Sequence, residues 1–214
     1  MGRAAAALVL LLACGGGAWG QEPGPGFWAL LREARAGDPA AQARLGRAFH
    51  RGDGVTRDLA EAARWYRAAA GRGDPEGAYG LALLYAGDPA DEAVFRDPAH
   101  RLSRDTEALY GFDTPQPSAL GTGPDPAAAA RWFRRAAQRG HGRAQYRLGL
   151  AYLEGRGVPR DPEAAAFWLG LAARSLDGPE REAAQQAFRR AAARLTPYRR
   201  DELRGRIREW SPRR

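Results

Sequence analysis

The residues best suited to catalysis or metal binding are three histidines and one cysteine, and their positions do not combine into a site. His50, His100 and His141 lie on separate predicted elements and lack the short spacing of paired metal ligands. Cys14 is the single cysteine, so no second thiol is present to complete a metal site or a disulfide within these 214 residues. The sequence therefore predicts no catalytic residues and no metal site.

Two further motifs look functional but have simpler structural explanations. Gly121-Thr122-Gly123 lacks the lysine that a phosphate-binding loop needs. Arg51-Gly52-Asp53 and Arg72-Gly73-Asp74 both spell the tripeptide of integrin ligands. Each also fits the end of a helix, with an arginine beside the negative pole of the dipole, a glycine C-cap and an aspartate in the turn. We therefore predict a non-enzymatic chain without a cofactor that acts through its surface.

The net charge of +8 raises the question of a nucleic-acid partner. All 33 basic residues are arginines, because the chain contains no lysine, and they alternate with 25 acidic residues. Such alternation is typical of solvated helix faces with pairs at i and i+4. No continuous basic stripe with interleaved aromatic residues is apparent, so we expect no nucleic-acid partner.

The first 20 residues have the pattern of an export signal. Arg3 precedes a ten-residue apolar run, residues 4–13, which is too short to span a bilayer. Ala18-Trp19-Gly20 fits a cleavage site that releases a soluble protein, whereas Leu11-Leu12-Ala13-Cys14 resembles a bacterial lipobox with Cys14 as the lipidated residue. Cys14 could also simply belong to the apolar run. We expect an exported protein, periplasmic, secreted or anchored in the outer membrane, whose only membrane contact is a lipid on Cys14.

The strongest pattern in the chain is an internal repeat. Residues 41–70 align with residues 144–173 at a constant offset of 103. A middle copy aligns in two halves, at offsets of 36 and 67, and therefore carries 31 additional residues, within residues 88–120. A period in this range is typical of stacked-repeat proteins. The shared positions are Leu45, Gly46, Gly52, Gly54 and Trp65 in the first copy, Trp132 in the second, and Leu148, Gly149, Gly155, Gly157 and Trp168 in the third.

Each repeat is predicted to be a pair of antiparallel helices, A and B. Asp38 and Asp74 suit the N-cap of helix A, which ends at a glycine such as Gly52. Asp58 suits the N-cap of helix B, and its equivalents are Asp125 and Asp161. Ala62, Trp65 and Ala69 are predicted to form the buried stripe of helix B, with the tryptophans of all three copies filling the space between repeats.

These motifs resemble the Sel1-like repeat family, a relative of the tetratricopeptide repeats. The resemblance implies an all-α, right-handed α-solenoid that acts as an adaptor for another protein or peptide, often in bacterial envelopes. A small-ligand or glycan-binding envelope protein, as in polysaccharide export, is the alternative, and an enzyme of wall metabolism is a third. The middle copy departs from the family pattern because it lacks the valine of the turn.

The chain divides into four segments. Residues 1–20 form the signal, residues 21–37 a tether and an N-terminal capping helix, residues 38–176 the three repeats, and residues 177–214 two C-terminal capping helices. Terminal helices of this kind shield the apolar ends of a repeat array.

Two surfaces are candidates for partner binding. Helix phase predicts that Arg47, His50, Tyr79 and Tyr146 line the concave side, where tyrosines would be suitable anchors, although packing between repeats is an equal alternative for them. The second candidate is the acidic insertion, residues 88–120, which could equally be a tolerated loop.

Overall fold

The computed structural model describes residues 25–87 and 124–213, and over these ranges every regular element is an α-helix. The described ranges exclude residues 1–20, which contain Cys14, and residues 88–120. The predictions made for these segments therefore lie outside the described residues. The helices are α1 (Pro25–Ala36), α2 (Pro39–Arg51), α3 (Leu59–Gly71), α4 (Pro75–Ala86), α5 (Pro126–Gln138), α6 (Gly142–Glu154), α7 (Pro162–Ser175), α8 (Gly178–Ala192) and α9 (Pro197–Glu209).

The predicted caps begin these helices. Asp38 accepts a hydrogen bond from the Ala40 N–H of α2 at 3.0 Å, and Asp125 accepts one from the Ala128 N–H of α5 at 2.8 Å. A side-chain acceptor satisfies an N–H group that has no partner within the helix. Asp58, Asp74 and Asp161 cap α3, α4 and α7 in the same way.

Each A helix passes to its B helix through the same backbone contact. The N–H of Asp58 donates to the carbonyl of Phe49 at 2.9 Å, and the equivalent bonds join Asp125 to Tyr85 at 2.9 Å and Asp161 to Tyr152 at 3.0 Å. The middle repeat therefore places the start of its B helix as the other two repeats do, although its sequence carries the insertion. The structure thus contains three pairs of A and B helices. The A helices are residues 39–51, 75–86 and 142–154, and the B helices are residues 59–71, 126–138 and 162–175.

The core is a row of apolar clusters connected by aromatic side chains. Phe49 contacts both the cluster of α1 and α2 and the cluster of α3 and α4. Trp132 connects that second cluster to the next one along the chain, and Trp168 connects the third to the last. A row of local apolar clusters, in place of one central core, is typical of a stacked-repeat protein.

The tryptophans are less buried than predicted. Trp65, Trp132 and Trp168 are only half-buried, whereas the next residue of each B helix is buried: Tyr66, Phe133 and Leu169. Where the buried residue is Tyr66 or Leu169, the glycine of the Leu-Gly motif, Gly46 or Gly149, leaves space for its side chain. A Cβ on Gly46 would lie 2.7 Å from Tyr66 Cδ1, and a Cβ on Gly149 would lie 2.5 Å from Leu169 Cγ.

The ends of the row are covered as predicted. Helix α1 packs on α2 through the buried Ala34 at one end. At the other end α8 and α9 bury Ala184, Ala191, Leu203 and Ile207 against α7. None of the helices formed by residues 25–87 and 124–213 is long and apolar enough to cross a bilayer.

Candidate functional site

A shallow cleft, open to solvent and with about 20 Å³ of space accessible to a water molecule, lies between the A helices α2 and α4. We call it the A-helix cleft. Helices α3 and α6 also contribute to its walls, so all three A helices take part. Its lining residues are Arg47, His50, Arg51, Tyr66, Glu76, Tyr79, Gly80, Leu83 and Arg143.

A chain of polar contacts crosses the cleft between repeats. One carboxylate oxygen of Glu76, on α4, accepts from Nη1 of Arg47, on α2, at 3.4 Å. The other carboxylate oxygen lies 3.1 Å from Nε2 of His141. His141 is the N-cap of α6, where its Nδ1 accepts from the Ala144 N–H at 3.1 Å. Because Nδ1 is an acceptor, the ring proton is on Nε2, which donates to Glu76.

The positive surroundings hold the Glu76 carboxyl in its charged form. Hydrogen bonding by His141 is the main cause that lowers the Glu76 pKa, and the charges of Arg47 and Arg143 lower it further, against the opposing effect of burial. Arg143 itself forms a two-pronged ion pair with Glu180 of α8, at 3.1 and 2.7 Å. Electrostatic contacts thus connect α2, α4, α6 and α8 along this face.

Aromatic side chains form the floor of the cleft. Tyr79 is only 2% exposed and stacks on the His141 ring, with 4.4 Å between centroids. The Tyr66 hydroxyl lies 3.5 Å from Nδ1 of His50. Gly80 lets the Tyr66 ring approach closely, since a Cβ there would lie 2.3 Å from the ring. The floor is therefore buried and closely packed, whereas the rim is polar and open to solvent.

The structure brings together three of the four predicted binding residues. Arg47, His50 and Tyr79 line the A-helix cleft, whereas Tyr146 packs in the core formed with α7 to α9. The prediction of two exposed tyrosine anchors needs correction, because Tyr79 is 2% and Tyr146 9% exposed. Both rings fill the space between neighbouring helices, and burial raises the Tyr146 pKa. His50 is also buried, which leaves Arg47 as the exposed member of the set.

Glu76, His141 and Arg143 were not among the predicted site residues. One signal in the sequence could have indicated them: His141 occupies the repeat position that Asp38 and Asp74 hold in the other copies. A histidine can cap a helix with one nitrogen and donate with the other, which aspartate cannot do. The substitution thus marks the place where two repeats are joined by a polar contact.

The cleft offers ion pairing and hydrogen bonding over a floor of aromatic side chains. Within residues 25–87 and 124–213 no group of three His, Cys, Asp or Glu side chains is arranged to hold a metal ion. The rim charges alternate from Arg47 through Glu76 to Arg143 across α2, α4 and α6. This geometry suits the recognition of a ligand that itself carries charges of both signs.

Comparison with known proteins agrees with this architecture. The Sel1 repeat family model matches residues 39–74, 117–141 and 142–175. The crystal structure of a Sel1 repeat protein from Oxalobacter formigenes is 29% identical, with 74% of this chain and 96% of that chain covered and a TM-score of 0.51.

A second solved structure is more distant. It is c5321, a protective antigen present in uropathogenic Escherichia coli strains that displays an SLR fold, with 21% identity, coverage of 88% of this chain and 52% of that chain, and a TM-score of 0.28. No curated protein matches the chain. The motifs, the helix pairs and the matching segments together show that the chain is a right-handed α-solenoid that carries Sel1 repeats in three segments.

Proposed function

We propose that this chain is a protein-interaction scaffold of the bacterial cell envelope and that its A-helix cleft binds a segment of a partner protein. Sel1 repeat proteins are generally non-catalytic scaffolds for protein interactions. The observation that carries the proposal is the convergence of side chains from all three A helices on one cleft.

The rim of the cleft favours a peptide over an uncharged ligand. Arg47 and Glu76 keep 45% and 42% of their side-chain surface exposed, so both can exchange part of their mutual contact for a partner's charges. A segment lying across α2, α4 and α6 would meet positive, negative and positive side chains in turn, the last of them, Arg143, being paired with Glu180. A partner segment with the opposite order of charges would fit this rim.

Capture of the partner by the purified protein tests the role of the cleft. Arg47→Glu reverses one rim charge without touching the core, and Arg67→Glu is the matched control, since Arg67 is exposed on α3 and outside the cleft. We expect crosslinking in envelope extract to capture a protein with wild type and Arg67→Glu but not with Arg47→Glu. Equal capture by both variants, or capture of a glycan in place of a protein, would contradict the proposal.

The envelope location rests on the sequence of residues 1–20. Its test is fractionation of cells that produce wild type or Cys14→Ser. If Cys14 is lipidated, wild type is in the membrane fraction and the variant in the periplasm, whereas cleavage after Gly20 leaves both soluble. Recovery of wild type in the cytoplasm would contradict export.

A further inference from the structure

The end of α8, the residues that follow it and the start of α9 form a strongly basic surface, which we call the basic turn. It consists of Arg189, Arg190, Arg194, Tyr198, Arg199 and Arg200. All six residues are exposed, and Tyr198 reaches 77% exposure. Residues 183–200 contain no aspartate or glutamate, so the alternation of charges seen elsewhere stops here.

Several arginines elsewhere in the described residues form ion pairs with acidic side chains, and most arginines of the basic turn do not. Arg44 pairs with Glu33 at 2.8 Å, and Arg206 pairs with Glu163 at 2.6 Å. In the basic turn Arg199 pairs with Glu202 at 3.1 Å. The other four form no ion pair with any acidic side chain in residues 25–87 and 124–213. Apart from the effect of the Arg190 charge on the Tyr146 pKa, their charge is therefore directed to solvent or to a ligand.

Local helix stability does not explain this placement. Arg189 and Arg190 lie in the last turn of α8, where the helix dipole favours cations. Arg199 and Arg200, however, lie in the first turn of α9, which contains no acidic residue and where the dipole disfavours them. Like charges on both sides of one short connection also repel each other. An arrangement that costs stability is explained more readily by a partner than by the fold.

We propose that the basic turn docks on the anionic headgroups of a phospholipid membrane. Clusters of four to eight basic residues are typical of surfaces that bind acidic lipids, and guanidinium groups match phosphate oxygens in pairs. Tyr198 has the chemistry of an interfacial residue, with an apolar ring and a polar hydroxyl. The surface is confined to one helical connection, whereas binding to a nucleic-acid strand uses a basic groove that follows the backbone. The basic turn shares no residue with the A-helix cleft.

Vesicle binding tests the proposal. The full chain carries Cys14→Ser, so that no lipid anchor contributes, and is mixed with vesicles of phosphatidylcholine alone or of equal parts phosphatidylcholine and phosphatidylglycerol. Binding that the apolar N-terminal run causes appears with both vesicles, and the difference between them measures the electrostatic part. We expect tighter binding to the phosphatidylglycerol vesicles and its loss at high salt.

Two triple variants of equal charge separate the basic turn from the overall charge. Arg190→Ser, Arg194→Ser and Arg200→Ser remove three arginines of the basic turn. The control removes Arg32, Arg35 and Arg67, which are also exposed and form no ion pair with the described acidic residues. At about fivefold per arginine, we expect the first variant to bind about 100-fold more weakly, with a much smaller change for the control.

Three results would overturn the proposal. Equal losses in the two triple variants would show that net charge alone is responsible. Equal binding to the two kinds of vesicle would exclude lipid charge as the determinant. Binding of a labelled RNA or DNA that the basic-turn variant loses, with vesicle binding unchanged, would assign the surface to nucleic acid. Circular dichroism melting of each variant checks that a loss of binding does not reflect unfolding.

Discussion

Arg139, at the end of α5, donates a hydrogen bond to the main-chain carbonyl of Gly73, the turn that precedes α4. Arg72 makes the same bond to Gly37 one repeat earlier. The B helices α3 and α5 thus each end on an arginine that reaches back to the turn before its own repeat. Both turn glycines have positive φ, 97° at Gly37 and 89° at Gly73, and a Cβ at either would collide with the guanidinium. The bond therefore needs a glycine as well as an arginine.

Removal of this arginine should weaken the junction between repeats. We expect Arg139→Met, which keeps the apolar stem, to lower the free energy of unfolding by about 1–2 kcal/mol, since a carbonyl loses a charged donor. Arg139→Lys should not restore the loss, because a lysine cannot reproduce the guanidinium geometry. Urea unfolding measures both. Arg131→Met, at an exposed position of the same helix, is the control, and an equal change there would refute the specific role of Arg139.

The glycine of the Leu-Gly motif should be required for packing. A Cβ on Gly149 would lie 2.5 Å from Leu169 Cγ and 3.1 Å from the Leu169 backbone nitrogen, which has little freedom to shift. We expect Gly149→Ala to cost about 1–3 kcal/mol by overpacking, despite the better helix propensity of alanine. Gly205→Ala in α9, with nothing within 4 Å of its new Cβ, should instead stabilise by up to about 1 kcal/mol. Thermal melts that move in the same direction for both would contradict the packing argument.

Glu76 should make stability depend on acidic pH. Its pKa is lowered in the folded state, chiefly by the hydrogen bond from His141, so it stabilises the fold fully above the ordinary glutamate range. That contribution is lost as the pH falls through the folded pKa. Asp74 acts in the opposite sense, because burial and, to a smaller extent, the Glu76 charge raise its pKa, so Glu76→Gln also removes this smaller opposing effect. We expect Glu76→Gln to be less stable than wild type at neutral pH and to approach it in acid, as urea unfolding over the pH range would show. A constant difference at all pH values would contradict this.

Local features of the fold could be predicted from the sequence because they depend on neighbouring residues. Asp58 caps α3 through the N–H groups of Ala60 and Glu61, and Gly52 adopts a φ of 82°, so each is recognisable from a few positions. The choice between Trp65 and Tyr66 as the buried residue could not be made this way. The two are adjacent on the helix, and the side that is covered depends on where α2 and α4 lie.

The site was predicted only in part because it combines distant positions. Arg47 and Tyr79 share a helix face that can be inferred from periodicity, but the burial of Tyr79 depends on His141, which belongs to the next repeat. Glu76 and Arg143 approach the cleft from different A helices. Side-chain contacts between repeats follow from the stacking geometry, which the repeat pattern does not specify by itself.

Replacement of the insertion should leave the solenoid intact and decide between the two candidate surfaces. The Asp125 N–H bonds to the Tyr85 carbonyl at 2.9 Å, and a Cβ on Gly87 would lie 3.1 Å from Pro124, so the two ends of the segment are adjacent. Residues 88–124 can therefore be exchanged for the five-residue link Asp53–Arg57 that joins Gly52 to Asp58 in the first repeat.

We expect the shortened chain to keep its helical circular dichroism and to gain about 1–2 kcal/mol of stability, since a shorter loop costs less entropy to close. It should also still capture its partner through the A-helix cleft. Arg47→Glu, introduced into the shortened chain, should abolish this capture. Loss of capture with an unchanged melting curve would instead assign recognition to the acidic insertion, because the cleft residues of α2, α4 and α6 are all retained in the shortened chain.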